Sequence, residues 1–145
     1  MENASRELRR APGWTVDARS WPLLQLELRD PLRDDIPAYG AALAAVCAAH
    51  SGRFATVTRL DFDPRNSPAE ARRAFAEKVD EAFQGRALAE AVVSPTPLLR
   101  GIVTAHGWLR RSPAPLRAFR DAASARRWAL AALGEEGLLS GRGER

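Results

Sequence analysis

Four times along the chain a short apolar run is followed by a longer segment whose apolar residues recur at helical spacing. That alternation predicts an α/β layer fold, with strands at the core of a sheet and helices packed on it. Trp14-Thr15-Val16 reads as a short strand turned back through Asp17 to Ser20 into Trp21 to Leu28. In the second arm Leu24, Leu26 and Leu28 share one face while Gln25 and Glu27 share the other, which is strand period. The two arms predict an opening hairpin. Ile36, Tyr39, Leu43, Val46 and Cys47 then form one stripe of a helix that begins at Asp34-Asp35 and ends at His50-Ser51-Gly52.

Arg53 to Phe62 carries β-branched Thr56, Val57 and Thr58 and predicts the next strand. Ser67-Pro68-Ala69-Glu70 is a capping box, with serine at the N-cap, proline at the first helical position and glutamate at the third. The helix it opens buries Ala71, Phe75, Val79, Ala82 and Phe83 and stops near Gly85. Leu88 to Ser94 predicts a third main strand. Pro95-Thr96-Pro97 opens a helix to Leu109 that is apolar on two sides: Leu98, Ile102, Ala105 and Leu109 on one, Leu99, Val103 and Trp108 toward the other. A helix of that kind is either enclosed or covered by a partner. Leu116 to Arg120 alternates as a half-exposed strand. Asp121 caps a last helix through Ala125, Trp128, Ala129, Ala132 and Leu133. The predicted order is β-β-α-β-α-β-α-β-α. Residues 13–133 form one domain, between a polar, disordered N-terminal tail (1–12) and a flexible C-terminal tail (134–145).

Composition narrows the class only a little. The 145 residues are 46% hydrophobic and 28% charged, which suits a globular domain with one sizeable core. The net charge of +4 is spread as Arg9-Arg10, Arg72-Arg73, Arg110-Arg111 and Arg126-Arg127 over separate elements, with carboxylates between them. A nucleic-acid footprint concentrates charge on one face, so no nucleic-acid partner is expected. The apolar stretch Ile36 to His50 is too short and too rich in alanine to cross a bilayer, so no membrane insertion is expected. The lone cysteine, Cys47, and a start without an apolar leader core point to the cytoplasm.

Candidate chemistry is sparse. No metal-ligand spacing, nucleophile–base set or glycine-rich phosphate loop occurs in the chain, and no cofactor is expected. Cys47 lies on a buried stripe and reads as a packed thiol. His50, in the last turn of its helix, reads as a partner of the helix dipole. His106 has no second ligand or base beside it in sequence. Asp61 and Asp63 are the nearest thing to a carboxylate pair. They follow a strand end, where ligands sit in open α/β sheets, yet aspartate beside Pro64 and Asn66 is also turn chemistry.

The chain resembles the bacterial STAS and SpoIIAA-like family, particularly its small stand-alone members. The resemblance rests on the hairpin Trp14 to Leu28, the strand–turn–helix Val57 to Phe75, the segment Ser94-Pro95-Thr96-Pro97-Leu98-Leu99-Arg100 and the ending Phe119-Arg120-Asp121 through Ala125 to Trp128. It implies a mixed sheet of four or five strands with helices packed against it, serving as a protein-interaction module. In family members a serine at the start of the helix after the central strand is phosphorylated to release a partner. Ser67 holds that position here, although the family's Asp-Ser-Ser-Gly pattern is replaced by Asp63-Pro64-Arg65-Asn66-Ser67-Pro68. Three functions follow as expectations. The first is a non-enzymatic regulatory or scaffold module, self-associating as a homodimer through Leu98, Leu99, Ile102, Val103 and Trp108. The second is a module of the same fold that binds a small apolar ligand or lipid behind those side chains. The third, an enzyme using Asp61, Asp63 and His106, would need those groups to converge.

Overall fold

A computed structural model of the chain describes residues 7–29, 35–61, 69–94, 96–97, 100–101 and 114–143. Its centre is a six-stranded sheet in sequential order: β1 (Leu8–Ala11), β2 (Trp14–Asp17), β3 (Leu23–Leu28), β4 (Phe54–Leu60), β5 (Ala87–Val93) and β6 (Leu116–Phe119). The first three strands are antiparallel, and β3 to β6 run parallel. The α/β class and the hairpin of β2 and β3 are as predicted. The strand count is six rather than four or five, because part of the supposed tail pairs. Leu8–Ala11 forms an edge strand on β2, closed by the two-residue turn Pro12-Gly13. Charged residues such as Arg9 and Arg10 hide a strand from a hydrophobicity reading, yet a sheet edge favours them because they discourage further pairing.

Arg29 locks this hairpin. Its guanidinium donates to the carbonyls of Ala11, Pro12 and Trp14, at 2.8, 3.1 and 2.9 Å, and to Thr15 Oγ1 and Glu27 Oε2, both at 2.9 Å. The planar fork suits such convergent acceptors in a way that a lysine ammonium does not.

Strand alternation sends two sets of side chains to opposite faces. On the inner face Trp14, Val16, Leu24, Leu26, Leu28 and Phe54 meet α1 (Ile36–Ala49) and α2 (Ala69–Phe83) in the largest core cluster. The predicted stripe of α1 is buried in full. In α2, Val79, Ala82 and Phe83 are buried and Ala71 and Phe75 pack from its margin. Successive parallel crossovers in one direction along the sheet place both helices on the same face. Gly40 lets them touch, since a Cβ there would stand 3.2 Å from Lys78 Cβ.

The carboxyl end of α1 is closed by a residue far away in sequence. Arg86 donates to Cys47 O at 2.7 Å, His50 O at 2.8 Å and Gly52 O at 2.9 Å, taking up carbonyls that the helix leaves free. Its guanidinium also lies 5.9 Å from the Trp21 ring and 5.8 Å from that of Phe54. Gln84 and Gly85, both at positive φ, turn the chain from α2 so that Arg86 reaches this position.

On the outer face a single helix, α3 (Ala122–Gly143), lies against β4, β5 and β6. Asp121 caps it as predicted: its Oδ1 accepts from the Ser124 amide at 2.8 Å and its Oδ2 from the Ser124 hydroxyl at 3.0 Å. The Ser124 amide and hydroxyl hold the Asp121 carboxyl below the usual carboxylate range. The flexible tail expected from residue 134 is instead helical to Gly143. Gly134 keeps a helical backbone without a left-handed turn, and each such glycine weakens a helix by about 1 kcal/mol without ending it. Among the described residues no helix is long and apolar enough to cross a membrane.

Replacing Arg86 removes three charge-assisted bonds and leaves two part-buried carbonyls, of Cys47 and His50, without that donor. Arg86→Met is expected to cost about 3 kcal/mol of stability in urea unfolding. An unchanged midpoint would remove the clamp from the structure's supports.

Candidate functional site

Of the predicted site residues, the described chain places Asp61, Cys47 and His50. Asp61 follows β4, and its amide donates to Leu28 O at 2.8 Å, extending the β3–β4 ladder by one bond. Its exposed carboxylate pairs with Arg59 Nε at 3.2 Å. It is a solvated ion pair at the strand end, a geometry of small energetic consequence. Asp63, Ser67, Leu98, Leu99, Ile102, Val103, His106 and Trp108 lie outside the described residues.

Cys47 is buried in the inner core, and burial pushes its thiol up while the nearby Arg86 charge pulls it down. It is a packing residue, as its stripe implied. His50 corrects the sequence reading. The cap on α1 comes from Arg86, and His50 contributes its carbonyl to that cap. Its ring stacks on Trp21, centroids 4.6 Å apart and planes 17° from parallel, and Nε2 lies 3.7 Å from Glu7 Oε1. Among the described residues no three His, Cys, Asp or Glu groups are placed to hold a metal ion.

The structure brings together a different set. On the inner face of β4 and β5, Thr56 stands opposite Glu90, and both are buried. Ser94, just past β5, is fully buried; its amide donates to Phe119 O at 3.0 Å and its carbonyl accepts from Arg100 at 3.1 Å. Tyr39 descends from α1, stacked on Phe75 at 5.4 Å and set edge-on to Trp14 at 5.7 Å. Burial, and then the negative charge of Glu90, push its phenol far above the ordinary tyrosine range, so it stays a neutral O–H. Neither the Tyr39 hydroxyl nor the Ser94 hydroxyl has a hydrogen-bond partner. This patch offers a carboxylate and three hydroxyls inside an apolar wall.

Sequence reasoning missed Glu90, although a signal existed. A strand flanked by parallel neighbours is buried on both faces, so a glutamate in Leu88 to Ser94 has no solvent to face.

The outer face presents a second feature. Under α3 the strands show Leu23, Ala55, Val57, Ala89, Ala91, Val93 and Phe119. Past Leu23, which α3 covers, the outer face of β1 to β3 shows Leu8, Arg10, Thr15, Asp17, Gln25 and Glu27. These groups are tied in place: Asp17 to Arg19 at 2.9 Å, Glu27 and Thr15 to Arg29, and Gln25 to Ser20 Oγ at 3.4 Å. The Arg19 bond is the main reason why the Asp17 carboxyl falls below the ordinary range.

No family model and no curated protein matches the chain. It is similar to the crystal structure of an uncharacterized protein of the DUF3478 family with a SpoIIAA-like fold, from Shewanella loihica PV-4. The two share 14% identity over 84% of this chain and 90% of that one, with a TM-score of 0.49. The mixed α/β class predicted for this chain stands on its own sheet and helices.

An unpartnered buried hydroxyl weakens a core. Tyr39→Phe is therefore expected to hold or raise stability, by up to about 1 kcal/mol in urea unfolding. A loss larger than that would mean that the hydroxyl has a partner in solution.

Proposed function

We propose that this chain is a non-enzymatic protein-interaction module of scaffold or regulatory type, acting in the cytoplasm. The observation that carries the reading is the open half of the outer face. Past Leu23, β1 to β3 present a mainly polar surface outside the cluster under α3, on which Arg19 holds Asp17 and Arg29 holds Thr15 and Glu27. Side chains already held in place lose little conformational entropy when a second protein docks on them, whereas small molecules favour concave, mostly apolar sites. The charged groups described at the strand ends support this reading, because they serve the fold. Arg29 locks a hairpin, Asp61 pairs with Arg59 and Asp121 caps a helix.

The module self-associates in this reading. Its apolar contact is formed by Leu98, Leu99, Ile102, Val103 and Trp108, the residues whose sequence pattern calls for a cover. Phosphorylation at Ser67 would add charge beside the start of α2 and regulate such a contact.

A second reading is favoured by the inner patch. The unpartnered Tyr39 and Ser94 hydroxyls, beside Glu90 and Thr56, suit a small ligand with a polar head and an apolar body held between sheet and helices. Ligand mass retained in native mass spectrometry would favour it over the first.

Light scattering on the wild type, Val103→Glu and Gln25→Arg tests the interaction reading. A dimeric wild type is expected. Val103→Glu is expected to be a folded monomer, while Gln25→Arg, on the open face, keeps the dimer and disturbs only a different partner. A monomeric wild type would remove self-association.

A further inference from the structure

The two arginines of β1 point to opposite sides of the sheet, and their surroundings differ. Arg10 is on the outer face, where its charge helps to hold down the Asp17 carboxyl. Arg9 is on the inner face. In the β1–β2 register Arg9 stands opposite Val16 and Trp14 opposite Ala11, so Arg9 and Trp14 are diagonal neighbours on the same side. The Nε of Arg9 and the indole Nε1 of Trp14 are both buried, and neither has a hydrogen-bond partner. Trp14 is only 6% exposed, with its ring fixed edge-on to Tyr39. Trp14 faces α1 through Tyr39, so both donors lie on the side of the hairpin where it forms a seam with that helix, and Arg9 as a whole is half-buried.

Other arginines of the domain behave differently. Arg86 spends its donors on backbone carbonyls, Arg29 divides its donors among carbonyls, Thr15 and the Glu27 carboxylate, and Arg19 and Arg59 face carboxylates. No carboxylate pairs with Arg9 among the described residues. Guanidinium and indole N–H groups can only donate, and the guanidinium stays charged at any pH the fold survives. Buried donors without acceptors are costly, so a pair of them beside a fixed positive charge calls for a negatively charged acceptor. We infer that the seam between β1, β2 and α1 binds a small oxyanion, a carboxylate or a phosphate, gripped by Arg9 and received by the Trp14 indole N–H. The site lies on the opposite side of the sheet from the open outer face and adjoins the Glu90 patch only through the contact of Trp14 with Tyr39, and it stands or falls separately from the interaction reading.

The four tryptophans provide the test, because each gives its own indole N–H resonance. Sodium phosphate and sodium acetate are titrated separately into the labelled protein, against sodium chloride at equal ionic strength. The expected result is a saturable shift of the Trp14 resonance with at least one of the two anions, with Trp21 and Trp128 unmoved. The anion that gives the tighter midpoint identifies the class of ligand. Arg9→Gln is expected to weaken that midpoint about tenfold or more, and Arg9→Lys, which keeps the charge but loses the fork, by less. Trp21 and Trp128 report whether each variant is folded, and Arg9→Lys carries the comparison if Arg9→Gln is not. The inference is overturned if Trp14 gives no saturable shift, if chloride moves it equally, or if the folded Arg9 variants bind as the wild type does. A bound water on the Trp14 N–H, with no response to either anion, overturns it as well.

Discussion

The packing of α3 against the sheet runs through alanine on both sides, and that seam decides what the rest of the molecule can present. Ala125 and Ala129 of the helix meet Ala55, Ala89 and Ala91 of β4 and β5, all 0 to 1% exposed. Side chains this small let the helix axis come close to the strands, and the tightness of a protein interior leaves no slack for larger ones. Trp128 and Leu133 flank the seam and fill the space that the alanines leave at its sides. The helix is thereby held over β4 to β6 and over Leu23 at the start of β3, and the rest of the outer face of β1 to β3 lies outside its cluster. The division of the outer face into an apolar covered half and a polar open half is a consequence of residue size.

The inner face follows a different rule. Two helices cover it with large side chains, and long-range arginine contacts set where the elements begin and end. Arg86 joins the end of α1 to Trp21 and the start of β4, and Arg29 joins the end of β3 to the turn before β2. Each arginine uses one rigid fork to satisfy carbonyls that secondary structure leaves unpaired. An arginine-rich composition that at first suggests a nucleic-acid partner is in part the internal bracing of the sheet.

Elements with strong period were legible in the sequence. The stripe of α1, the alternation of β3 and the Asp121 cap all appear where pattern placed them, because each is a local matter of spacing and capping. Leu8–Ala11 was not legible, since a four-residue charged edge strand has no apolar period and exists only through its partner β2. The extension of α3 past Gly134 was missed because glycine marks a helix end only when it adopts a left-handed turn, which Gly85 does and Gly134 does not. Asp61 follows β4, and its pairing with Arg59 two residues earlier is a local consequence of strand period. The patch of Tyr39, Thr56, Glu90 and Ser94 draws on α1, β4 and β5 with the residue just past it, and only the register of β4 on β5 and the packing of α1 on the sheet bring its parts together.

The alanine seam is open to a direct comparison on one helix. Urea unfolding of Ala129→Leu, at the centre of the seam, is set against Ala131→Leu, which faces solvent two residues away. If α3 is seated through its alanines, Ala129→Leu loses about 2 kcal/mol to overpacking and Ala131→Leu stays within about 0.5 kcal/mol of the wild type. Equal stability of the two variants would contradict the seating of α3, and with it the open half of the sheet on which the functional reading rests.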